Sequence, residues 1–209
     1  MSETTMTQTT GKTSAKKMDI RKLTGTAMLS AIAYALMFLD FSVPFMPSFI
    51  KMDLSELPAL IGSFAYGPIA GVVICLIKNL IHLTISSTGG VGELSNFLLG
   101  ASFVLVAGFI YKWKKTRKGA LIGSIAGALV MAVFSIFSNY FLVYPIYYNF
   151  MPKDAILAAY QVIFSGVDNI LECLIVFNAP FTFVKGIFSV IITFLIYKRL
   201  SPILKGTQS

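Results

Sequence analysis

Lys78, Asn79 and His82 stand inside an apolar run that begins at Pro68, and Lys185 stands inside another that begins at Ile170. An ionised lysine at the centre of a bilayer costs about 2.5–3.5 kcal/mol on insertion scales. Helical residues three or four apart share a face, so His82 neighbours both Lys78 and Asn79. The rise from the start of the run to Lys78 is about 15 Å, near mid-depth. From there the ammonium is too deep to reach water by snorkelling. Asn139 and Asn96 fall in the outer halves of two further runs, with Glu93 one turn from Asn96. Asp53 and Glu56 stand at the outer start of a short one. Together they form a set of hydrogen-bond donors and acceptors suited to a polar pocket that opens outward. Each also has a plainer reading. Asn139 serves equally as an interhelical hydrogen bond, worth about 0.6 kcal/mol in lipid. His82 fits a packed histidine, the acids favour the positive ends of helices, and Lys78 can pair with an acid as pure structure.

Nothing in the chain resembles catalytic machinery. The single histidine leaves no His-Glu-x-x-His helix, and no Gly-x-Ser-x-Gly elbow occurs. Gly11-Lys12-Thr13 lacks the upstream glycine of a phosphate-binding loop. Cys75 and Cys173 supply neither a disulfide framework nor metal-ligand spacing. The expectation is no catalytic residue, no metal site and no cofactor. ATP hydrolysis would have to come from a partner. Aromatic residues are abundant, and Tyr140, Phe141, Tyr144, Tyr147 and Tyr148 crowd one short stretch. They suit an interfacial belt, or a wall on which a flat ring stacks.

The elements that carry these residues follow from composition. Of 209 residues, 56% are hydrophobic and 12% charged, too few charges to wet the surface of a soluble domain. The expected fold is an all-α membrane protein with six transmembrane helices. These run over about 23–41, 54–66, 68–86, 92–113, 120–144 and 170–200. A short interfacial helix is expected between 145 and 168, and a break near Asn178-Ala179-Pro180. Residues 1–22 read as a disordered basic cytoplasmic tail rather than a signal peptide, 23–200 as the membrane domain and 201–209 as a second cytoplasmic tail. Six spans put three basic clusters on the cytoplasmic side: Lys12 to Lys22, Lys112 to Lys118, and Lys198 to Lys205. Both termini are then cytoplasmic. The net charge of +8 comes largely from these clusters, which argues for lipid headgroups and against nucleic acid. Small residues every fourth position, Ala27, Ala31 and Ala35 in the first helix and Gly119, Gly123 and Gly127 in the fifth, allow close helix approach.

The alanine stripe resembles that of the substrate-binding S components of energy-coupling factor (ECF) vitamin importers of the bacterial plasma membrane. Further stretches resemble the riboflavin-specific members. They are Phe49 to Asp53 with Leu57 to Leu60, Tyr66 to Gly71, Leu76 to Leu80, Gly92-Glu93 with Asn96 to Leu98, Asn139 to Phe141, and Pro180 to Gly186. The resemblance spans about 23–200. It implies a six-helix bundle with an outward pocket capped by the first loop. It implies riboflavin as transported ligand, hydrogen-bonded by Asn139 and Lys185. Asp53, Lys78, Asn79, Asn96, Tyr140, Met52 and Thr182 complete the candidate binding set. Thr182 stands where the family often has asparagine. The resemblance also implies a transmembrane coupling subunit docked on Ala27, Ala31 and Ala35, two ATPase subunits below it, and release by toppling in the bilayer. Alternatives are an S component for folate, thiamine, pantothenate or FMN, and a membrane-embedded lipid-modifying enzyme. The last needs a catalytic dyad that the chain does not display.

Overall fold

The computed structural model describes residues 20–205, with side chains described as far as residue 196. The expected tails fall mostly outside the described residues, at 1–19 and 206–209. α1 spans Ile20–Met37. A two-stranded ribbon follows, in which β1 (Phe41–Ser42) runs antiparallel to β2 (Lys51–Met52) with Phe41 opposite Met52. α2 covers Glu56–Tyr66 and α3 covers Pro68–His82, extended by a 3-10 turn at Leu83–Ile85. The joint between them is Gly67, whose φ of 107° favours glycine. Pro68 opens α3 at a position where its missing N–H costs nothing.

α4 (Val91–Trp113) and α5 (Arg117–Ser138) are joined by a tight basic turn. The Thr116 hydroxyl caps α5 by accepting from the Gly119 N–H. α5 passes through a π-helical turn at Asn139–Val143 into α6 (Tyr144–Tyr147). α7 (Lys153–Gln161) lies in the stretch where a short helix is expected. α8 (Ile170–Cys173) passes through a second π turn, Leu174–Asn178, into α9 (Ala179–Lys205). The chain does not break at Asn178-Ala179-Pro180 as the sequence suggests. Both π turns end two residues before a proline, Pro145 and Pro180. Proline has no N–H to donate, and its ring presses on the carbonyl four residues back. Widening the preceding turn relieves that pressure while the helix continues.

Among the described residues, four helical stretches are long and apolar enough to cross a membrane: Pro68–Ile85, Val91–Trp113, Arg117–Tyr147 and Ile170–Ile196. α1 carries Arg21 and Lys22 in its first turn. α2 is only about 16 Å long at 1.5 Å per residue. It forms the centre of the bundle. Every residue from Glu56 to Phe64 is buried, with α1, α3, α4 and α9 packed around it. α5 closes the bundle against α4 and α9. Gly123 and Gly127 make the α4 contact possible, since an added Cβ would stand 2.8 Å from the Ala107 carbonyl oxygen and 2.7 Å from that of Phe103. The outer faces carry exposed apolar side chains such as Leu80, Ile122, Val133, Phe137, Ile191 and Leu195. A surface of that kind is solvated by lipid.

Candidate functional site

A cavity of about 360 Å³ lies at the ribbon end of the bundle, within the range of about 300–1,000 Å³ usual for small-molecule sites. The ribbon and its loop supply Asp40, Phe49, Ile50 and Lys51. His82 comes from the end of α3, and Glu93, Ser95 and Asn96 from the start of α4. The first π turn gives Asn139, and the last helix gives Asn178, Thr182 and Lys185. The residues from the last helix recur at four and three positions, so one face carries a polar ladder about 10 Å long. Apolar walls come from Met37, Leu99, Met131, Val143 and Phe181.

At the floor of the cavity four charges close on one another. The Lys185 Nζ donates to Asp53 Oδ2 at 2.9 Å and lies 3.3 Å from Glu56 Oε2. The Lys78 Nζ donates to Glu56 Oε1 at 3.1 Å and to the Ser55 hydroxyl. Asp53 Oδ1 accepts from the Ser55 N–H at 2.8 Å and from its hydroxyl. Two cations therefore meet two anions, with Ser55 bridging the two pairs. Buried ions persist only when paired and hydrogen-bonded in this way. The other charges at the cavity are matched as well. Lys51 pairs with Asp40 at 2.7 Å. Glu93 accepts from Ser86 at 2.7 Å and lies 2.7 Å from His82 Nδ1.

The structure brings Asp53, Asn96, Asn139, Thr182 and Lys185 to the cavity wall. Lys78 is fully buried below it, and Asn79 donates to the Cys75 carbonyl within its own helix. Met52 is buried and Tyr140 is exposed, and neither lines the cavity. Tyr140 is the second residue of the first π turn, next to Asn139, and its side chain is exposed. Asn139 Oδ1 accepts from the Ser95 hydroxyl at 3.1 Å, which fixes the amide. Ser95 and Asn178 are absent from the sequence-derived set. A lone asparagine inside the apolar stretch Leu174 to Phe181 was a usable signal for the latter, but its neighbouring proline reads as a helix end.

Behind the wall, Tyr160 of α7 is wholly buried. Its hydroxyl lies 2.6 Å from that of Tyr144 and donates to Asn178 Oδ1 at 2.6 Å. The Asn178 amide nitrogen stands 3.4 Å from the Tyr144 hydroxyl. Burial pushes the Tyr160 phenol above its ordinary value, so it remains a donor. Its ring packs edge-on against Phe49, centroids 6.0 Å apart, and tilted against Phe177 at 5.3 Å.

Residues 21–197 match the family described as "ECF transporter, substrate-specific component". A riboflavin transporter of Staphylococcus aureus (strain TCH60), RibU, is 37% identical over 188 residues, covering 88% of this chain and 93% of the relative. A riboflavin transporter of Bacillus subtilis (strain 168), FmnP, is 33% identical over 196 residues, covering 92% and 98%. A solved structure described as the S component of a bacterial ECF transporter superposes with a TM-score of 0.71 at 36% identity. That match covers 90% of this chain and 99% of the other.

Proposed function

We propose a riboflavin-capturing role on one premise: this chain belongs to the ECF transporter substrate-specific component family. The family is one of membrane transporters and not of enzymes, and the apolar helices of this chain agree with a membrane setting.

The observation that carries the ligand reading is the charge balance of the site. Lys78 and Lys185 are both satisfied by Asp53 and Glu56. Lys51 and Asp40 satisfy each other. A carboxylate- or phosphate-bearing vitamin would have to displace an internal acid to reach a cation, at the cost of leaving that acid buried and unpaired. A neutral ligand needs no such exchange. Riboflavin is neutral, flat and polar at its edges, and carries a hydroxylated chain. The apolar walls suit its ring. Asn96, Asn139, Thr182 and Lys185 suit its edges. Lys78 acts from beneath by holding α2 and α3 together, and Asp53 acts by fixing Lys185.

The wider architecture is proposed on the same premise. Residues 23–200 form the membrane domain with six crossings. The basic tail 1–22 and the tail 201–209 lie on the cytoplasmic side, as does the Lys112 to Lys118 turn. Ala27, Ala31 and Ala35 are exposed on α1 and form a smooth face for a transmembrane coupling subunit. Two ATPases would drive toppling and inward release.

The test is one spectrum. Detergent-purified protein is expected to be yellow, or to bind added riboflavin with quenched flavin fluorescence. Colourless protein that fails to bind the vitamin defeats the reading. Preference for folate, thiamine, pantothenate or FMN in a competition panel replaces riboflavin while keeping the family.

A further inference from the structure

Tyr144, Tyr160 and Asn178 form a closed ring of hydrogen bonds whose protons can be counted. A phenol has one proton. Tyr160 gives its own to Asn178 Oδ1, so in its 2.6 Å contact with Tyr144 it must accept. Tyr144 has then spent its proton. It can only accept from the Asn178 amide, which stands off at 3.4 Å, beyond the usual 2.7–3.2 Å span of about ideal N–H···O bonds. Two capacities are left over. The Asn178 amide has a second N–H, and the Tyr144 oxygen has a second lone pair. Both residues line the cavity, whereas Tyr160 stands behind them.

One spare donor beside one spare acceptor is the complement of a hydroxyl group, which accepts and donates at once. A carbonyl would satisfy only the amide, and an ammonium only the phenol oxygen. The ring is neutral throughout, and among the described residues no charged side chain hydrogen-bonds to its three members. Phe49 and Tyr147 line the same part of the cavity, 5.9 Å apart, and offer apolar faces to the carbon skeleton of such a group.

We infer that Asn178 and Tyr144 form a second polar subsite that takes a hydroxyl of the ligand's polyol chain, with Tyr160 as the positioning residue that orients both. This rests on the riboflavin reading and assigns the chain, rather than the ring, to the π-turn end of the cavity. Lys185 stands about 10 Å further along the same helix than Asn178 at 1.5 Å per residue, which leaves the ring edge to the Lys185 end.

The test compares riboflavin with the same tricyclic ring bearing a methyl group in place of the polyol chain. Dissociation constants are measured on the full purified chain. Asn178→Ala is expected to weaken riboflavin about tenfold, the measure of one lost neutral hydrogen bond with its partner unsatisfied, and to leave the methyl analogue unchanged. Tyr160→Phe keeps the packing and removes only the hydroxyl. It is expected to show the same selective loss, beside whatever fall in melting temperature follows from unpairing Asn178 and Tyr144. Equal weakening of both ligands, or riboflavin affinity unchanged in both variants, overturns the inference. An effect confined to melting temperature does so too, since it marks a structural network alone. Wild-type protein that binds neither ligand sinks the riboflavin reading instead, so the two failures are distinguishable. If Asn178→Ala fails to fold, Tyr144→Phe removes the spare acceptor together with its bonds to Tyr160 and Asn178, and is expected to cost riboflavin and spare the analogue. Riboflavin binding unaltered in that variant overturns the inference.

Discussion

Lys78 carries its burden at a distance from the cavity. Replacing it by methionine leaves Glu56 buried with one cation fewer. Breaking such a pair costs about 3–5 kcal/mol, so Lys78→Met is expected to melt well below wild type. Adding Glu56→Gln should recover part of the loss, and a double variant as unstable as the sum of the two singles would show that the ions are not coupled. The polar residues themselves were legible in the sequence, because lysine and asparagine inside an apolar run have few explanations. Their roles were not. Lys78 and Lys185 look equivalent in the sequence, each a lone cation near mid-depth. Only the fold separates them, by burying one against the start of α2 and setting the other at the cavity wall. Asp53 is separated from Lys185 by most of the chain, and no local pattern announces that they meet at 2.9 Å.

Among the elements, the long helices were plain from hydropathy and the α2–α3 turn from Gly67-Pro68. The two π turns were not, because the same prolines that cause them also signal a helix end. Their effect is to turn Asn139 and Asn178 toward one cavity from two different helices. The glycine stripe of α5 was legible as a contact but its partner was not. It faces α4 within this chain, and so leaves the alanine stripe of α1 as the exposed one. Gly127→Val therefore drives a side chain into the Phe103 carbonyl. Overpacking of that kind costs about 1–3 kcal/mol, read as a fall in melting temperature of the ligand-free protein. A variant as stable as wild type would mean that α4 and α5 can separate without loss.

At the scale of the whole molecule, the cavity and the proposed partner surface lie apart. The cavity lies at the ribbon end, while Ala27, Ala31 and Ala35 run along the outside of α1. Ala31→Trp is expected to leave the riboflavin affinity of the isolated protein unchanged and to abolish both uptake and co-purification with a coupling subunit. Retained uptake would place the partner surface elsewhere. The ribbon itself has a kinetic consequence. Its ladder has two residues per strand, and its exposed ion pair, Lys51–Asp40, contributes roughly 0–1 kcal/mol, so the packing of Phe49 on Tyr147 and Tyr160 and the burial of Met52 hold it in place. A flap held by side-chain packing rather than by a long ladder is expected to open on the microsecond-to-millisecond scale of loop motions. Guests can then be exchanged many times during the lifetime of one folded molecule, and residence time depends on the grip of the chamber rather than on dismantling the helices.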